Sequence, residues 1–109
     1  MTRRFTQATL VVPTDPNQGS MSVADYDHAL GQLEQELTAT FGGFTVVRGR
    51  GAWEEGSQVL HEQVRVYTLA LDTALVDQAL FTLRERVKEL LDQHTVYLAA
   101  CDVTDKPVQ

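Results

Sequence analysis

Residues 22–43 read SVADYDHALGQLEQELTATFGG, and this stretch decides the fold. Val23, Tyr26, Leu30, Leu33, Leu37 and Phe41 recur at steps of three and four, which aligns them along one face of a helix. Ser22 is suited to cap the open first turn, and Asp25 and Asp27 stand where the helix dipole favours negative charge. Gly42-Gly43 ends the helix, since glycine takes up the left-handed backbone that helix C-termini commonly use. A helix with a single apolar stripe needs one partner layer to cover it.

Working outward, residues 5–12, FTQATLVV, are partly alternating and rich in β-branched types, which suits a strand. Pro13 ends it, and residues 14–19 supply Pro, Asn and Gly for a loop. Beyond the helix, residues 44–48 form a short second strand that Gly49 to Trp53 either continues or turns away from. Residues 54–57, EEGS, make a polar hairpin tip. Residues 59–71 form a third strand with two alternating sets. The expected assignment places Val64, Val66 and Ala70 on one side and Arg65, Tyr67 and Leu69 on the other. Asp72 or Thr73 caps a second helix whose stripe runs through Val76, Leu80, Leu83, Val87, Leu90 and Leu91. His94 falls in its last turn, and residues 96–101 form a final strand. The order strand, helix, strand, strand, helix, strand predicts an α+β ferredoxin-like βαββαβ sandwich. Two helices then cover one face of a four-stranded antiparallel sheet, and a single domain spans residues 1–109.

Two single-striped helices leave the other sheet face bare. With Leu10, Val12, Val46, Val64, Val66, Val96, Leu98 and Ala100 assigned to the helix side, the opposite phase holds Thr9, Val11, Thr45, Val47, Arg65, Tyr67, Leu69, Tyr97 and Cys101. A mixed apolar patch of this kind marks a partner or ligand surface. Sheet-to-sheet dimerisation covers it most simply.

Composition narrows the function classes. The chain has 109 residues, 43% of them hydrophobic and 22% charged, so it has enough apolar material for one core. Its net charge of −6 argues against general nucleic-acid binding. No apolar run reaches the roughly 18 residues of a membrane span, and the first residues lack a secretory apolar region. The expectation is a cytoplasmic protein without membrane or nucleic-acid partners. A lone Cys101 excludes an internal disulfide, and His28, His61 and His94 lack metal-ligand spacing. No metal or other cofactor is expected.

The densest cluster of chemically distinctive residues is Arg48-Gly-Arg50-Gly-Ala-Trp53, followed by His61-Glu62. Residues 5–47 contain no Lys or Arg, so Arg48, Arg50 and Arg65 form a basic island on an acidic chain. Arginine forks fit carboxylates and phosphates, and Trp53 offers a flat apolar surface. An anionic small ligand or a protein segment could dock there. The plainer alternative is a strand whose Trp53 packs at the sheet edge and whose arginines pair with Glu54, Glu55 or Glu62. Glu62, in phase with Val64 and Val66, is either a carboxyl near the apolar layer with a raised pKa or a solvated strand end paired to arginine. The expected ligand-binding set is Arg48, Arg50, Trp53, Glu62, Arg65, Tyr67 and Tyr97. No complete catalytic constellation is present.

Phe41-Gly-Gly-Phe-Thr45, Gly49 to Trp53 and Glu62-Gln-Val-Arg-Val-Tyr67 resemble small bacterial, plasmid and phage proteins of domain-of-unknown-function groups. Their pattern runs F-G-G-[FY]-T, G-x-W and a later E-x-V. The resemblance covers residues 41–67, implies a ferredoxin-like fold acting alone or as a small oligomer, and brings no activity. His61 departs from it, which argues against a His61–Glu62 dyad. A weaker likeness to dimeric α+β barrel proteins rests on architecture, which does not imply function.

Three functions follow as alternatives. The first is a small ligand-binding or protein-interaction module that dimerises through the open face. The second is a cofactor-free enzyme with Glu62 transferring a proton and Arg65, Tyr67 or Tyr97 orienting an organic substrate. The third is a phage- or plasmid-type inhibitor presenting the acidic run from Asp15 to Glu36, which has five acidic and no basic residues. The plainer alternative for that run is a solvated helix face.

Overall fold

The computed structural model describes residues 3–17, 19–72, 76–93 and 96–105. Six elements follow one another: β1 (Arg3–Pro13), α1 (Val23–Phe41), β2 (Thr45–Glu55), β3 (Gln58–Leu71), α2 (Val76–Leu91) and β4 (Tyr97–Asp105). The strands form one antiparallel sheet in the order β2-β3-β1-β4. This is the ferredoxin-like α+β sandwich.

The first helix is capped as its sequence dictates. Ser22 Oγ accepts from the Asp25 N–H at 3.0 Å, and Gly42, at φ 85°, donates its own N–H to Thr38 O at 2.9 Å. Thr73 and His94, expected at the ends of the second helix, lie outside the described residues. Gly49 to Trp53 continue the second strand, which turns at Gly56-Ser57 with φ 65° at Gly56. A two-residue hairpin favours glycine at that first turn position.

Both helices bury their stripes on the same side of the sheet. Tyr26, Leu30, Leu33 and Leu37 of α1 and Leu83, Val87 and Leu91 of α2 form one core with Ala8, Leu10, Tyr67, Leu69 and Leu71. Here the structure corrects the expected phase of the third strand. Leu10 stands opposite Tyr67, and Ala8 opposite Leu69, so Arg65, Tyr67 and Leu69 face the helices while Val64 and Val66 face the open side. Both phases of this strand carry apolar residues, which hides the choice. The phase of Tyr67, Leu69 and Leu71 buries more apolar area than that of Val66, Thr68 and Ala70, and burial area decides it. The other strands keep their expected phase: Leu10, Val12, Val46, Leu98 and Ala100 share the helix side.

The β1–β3 pairing ends at Pro13 opposite Val64, with one further bond from the Thr14 N–H to Gln63 O. The β2–β3 ladder runs on to Glu55 opposite Gln58. A two-stranded ribbon therefore overhangs the sheet, and the molecule is 50 Å long but only 32 by 25 Å across.

Candidate functional site: the open sheet face and its cleft

The register places Thr9, Val11, Thr45, Val47, Val66, Tyr97 and Cys101 on the open face. Val47 is 57% exposed and Tyr97 62% exposed. Water therefore meets a row of apolar side chains on the side that the helices leave bare, as the amphipathic pattern required.

Where the ribbon leaves the sheet, this face deepens into a cleft of about 460 Å³. Trp53 and Glu62 come from the ribbon, Pro13 from the end of β1, Tyr97 from the start of β4, and Gln93 from the segment after α2. Trp53 reaches this place because β2 carries glycine at position 51. A Cβ there would stand 2.8 Å from Trp53 Cζ3, so the indole lies across the bare backbone. The loop wall is held by two bonds to Asp92: Asn17 Nδ2 donates to its carbonyl at 3.1 Å and Ser20 Oγ to its carboxylate. From the core, Tyr26 holds Pro13 by donating its hydroxyl to Pro13 O at 2.7 Å, and burial pushes that phenol above its ordinary pKa.

Glu62 supplies the carboxyl group of the cleft. Burial, and then the nearby charge of Asp15, raise its carboxyl above the ordinary range. The register puts Arg50 opposite Gln63, so both arginines of β2 project from the face away from Glu62. The Glu62–arginine pairing considered from sequence is therefore not formed.

Of the seven residues singled out in the sequence, Trp53, Glu62 and Tyr97 meet at this cleft. Arg65 and Tyr67 do not. They face α1, where Tyr67 donates its hydroxyl to Glu34 Oε2 at 2.7 Å and Arg65 Nη1 donates to the same oxygen at 3.2 Å. Burial and then this bond push the Tyr67 phenol up to about 12. Arg48, at the edge of the sheet, and Arg50, at the start of the overhang, lie on the helix side, both exposed. Reading the sequence missed Gln93 and Asn17, whose only signal was membership in polar connecting segments. It also counted Glu34 and Glu36 with a solvated acidic face. Instead Glu34 serves Arg65 and Tyr67, and Glu36 takes two bonds from Arg86, at 2.8 and 2.9 Å.

A second cavity, about 320 Å³, opens between the helices over Leu33, Leu37, Phe41 and Leu83, with the Glu36–Arg86 pair at its rim. Among the described residues no cluster of His, Cys, Asp and Glu is arranged to hold a metal ion, and no helix is long and apolar enough to cross a membrane.

No family model and no curated protein matches the sequence. Solved structures do match the fold. CutA1 from Oryza sativa superposes with a TM-score of 0.64 at 13% identity, over 97% of this chain and 85% of that one. The periplasmic divalent cation tolerance protein CutA from Archaeoglobus fulgidus gives 0.60 at 8% identity, over 100% and 89%. CPII from Thiomonas intermedia K12, a nitrogen regulatory PII-like protein bound to ADP, AMP and bicarbonate, gives 0.56 at 14% identity, over 99% and 100%. The shared feature is the fold. Such low identity carries neither activity nor ligand across.

Proposed function

We propose that this chain is a small-molecule-binding module that works as a homo-oligomer, its open sheet face packed against other copies. The observation that carries the reading is the concentration of exposed Val47, Tyr97 and Trp53 on one face of the sheet. Isolated apolar residues on a surface need no explanation, but a contiguous set on a bare sheet does. Closed symmetry covers such a face without leaving a sticky edge, and a two-fold dimer is its smallest form. The exposed Cys101 thiol suits a reducing compartment, which agrees with a cytoplasmic setting.

Trp53, the single tryptophan, reports on this face directly. It is 46% exposed in the isolated chain. Acrylamide should quench its emission weakly in the wild-type assembly and strongly in Val47→Asp, whose new charge cannot be buried between sheets. Equal quenching in both would count against the reading.

The cleft suits a ligand with a flat ring to lie on the indole and a donor for the Glu62 carboxyl. Because CPII, which shares the fold, is bound to ADP and AMP, AMP is the first probe. A saturable change in Trp53 emission that Glu62→Ala weakens supports this ligand class, and a flat titration removes it. The raised Glu62 carboxyl also favours a second reading, proton transfer to a substrate in the cleft. In that case Arg65 and Tyr67, turned toward α1, take no part, and Tyr97 alone orients the substrate.

A further inference from the structure

The β2–β3 strand pair, from its last sheet positions out into the overhang, has two unlike faces. Gly49, Gly51, Trp53, Glu62 and Val64 share one of them, while Arg48, Arg50, His61, Gln63 and Arg65 share the other. Arg48 stands directly opposite Arg65, and Arg50 follows two positions along the same face. Like charges directly opposite each other weaken a strand pair, so this ladder carries an electrostatic cost at its base.

Glu34 and Asp27 offset that cost at Arg65, and among the described residues no ion pair offsets it at Arg48. Arg65 Nη1 is held by Glu34, but Arg65 Nε is buried without a hydrogen-bond partner. The Glu34 oxygen that meets Arg65 also accepts from Tyr67. No ion pair joins Arg48 or Arg50 to a described carboxylate. Three arginines therefore share one face of the strand pair, and only Arg65 among them is paired to a described carboxylate. An oxyanion among these side chains would turn the mutual repulsion into shared attraction. The planar guanidinium fork matches the oxygen spacing of carboxylates and phosphates.

We propose that the Arg48–Arg50–Arg65 face of the β2–β3 ribbon binds the phosphate or carboxylate group of a small anionic ligand. Gln63, opposite Arg50, adds an amide donor, and Glu34 keeps Arg65 oriented. The site is local rather than a general polyanion surface, because the chain around it carries a net charge of −6. It lies on the other side of the ribbon from Trp53, so it does not rest on the cleft reading above.

Isothermal titration of the full chain at low salt, with pyrophosphate and with citrate, tests this. At least one anion should bind, and the double variant Arg48→Ala/Arg50→Ala should lose about tenfold or more in affinity. Both side chains are exposed, and circular dichroism of the variant checks that it stays folded. Arg48→Lys/Arg50→Lys should recover part of the loss, since lysine keeps the charge without the fork. Tighter pyrophosphate assigns the ligand group as phosphate, and tighter citrate as carboxylate. Silence with both anions, or unchanged affinity in the folded double alanine variant, overturns the proposal.

Discussion

The indole of Trp53 lies across the backbone of Gly51, where a Cβ would sit 2.8 Å from Cζ3. Glycine at this position makes room for a ring. Its backbone is ordinary extended strand, and among the described glycines the left-handed conformations belong to positions 19, 42, 43 and 56.

Gly51→Ala should therefore move the ring more than it destabilises the chain. The clash falls on a half-exposed side chain that can swing away, while alanine in a strand regains roughly 0.5–1 kcal/mol of backbone entropy over glycine. Emission of the variant should shift while its melting temperature stays close to that of the wild type. Unchanged emission would show that the ring does not rest on Gly51.

Glu34 joins the first helix to the third strand through one carboxylate oxygen shared by Tyr67 and Arg65. Glu34→Ala leaves a phenol and a guanidinium facing the helix layer without their acceptor, at a cost of about 1–3 kcal/mol. Tyr67→Phe removes one donor and leaves the ion pair, so about 1 kcal/mol is expected. Urea denaturation of both variants checks the order. A neutral Glu34→Ala would show that water replaces the carboxylate at no cost.

Glu62 makes stability depend on pH with a definite sign. Its carboxyl is raised in the folded chain, so between the unfolded and folded pKa values the native state binds more protons. The penalty is absent in acid, grows as pH rises through the carboxylate range and is complete above the folded value. Glu62→Gln should therefore melt above the wild type at about pH 8, and the gap should close near about pH 4. A less stable variant at the higher pH would mean that ionised Glu62 has a favourable partner.

The parts of the fold legible in the sequence are those where one pattern has one reading. The α1 stripe from Tyr26 to Leu37, the Ser22 cap and the Gly42 stop admit no competing assignment and appear as expected, while Val23, also assigned to the stripe, stays 60% exposed in the first turn. The third strand was not legible in phase, because Val64 and Val66 compete with Tyr67 and Leu69. Only its pairing with Ala8 and Leu10 decides between them. The same slip moved Arg65 and Tyr67 from the open face to the helix layer. Trp53 was recognisable by type, but its meeting with Glu62 and Tyr97 depends on the three pairings that join all four strands. Glu34 and Arg65 lie 31 residues apart, and no local pattern distinguishes their pair from a solvated acidic face.

Static light scattering on the wild-type chain, repeated over a wide dilution series, tests most directly whether the bare sheet face is an assembly surface. A mass that is a fixed multiple of 12.1 kDa, falling to a single copy in Tyr97→Asp, is the predicted result. A wild-type mass of 12.1 kDa at every concentration would contradict it.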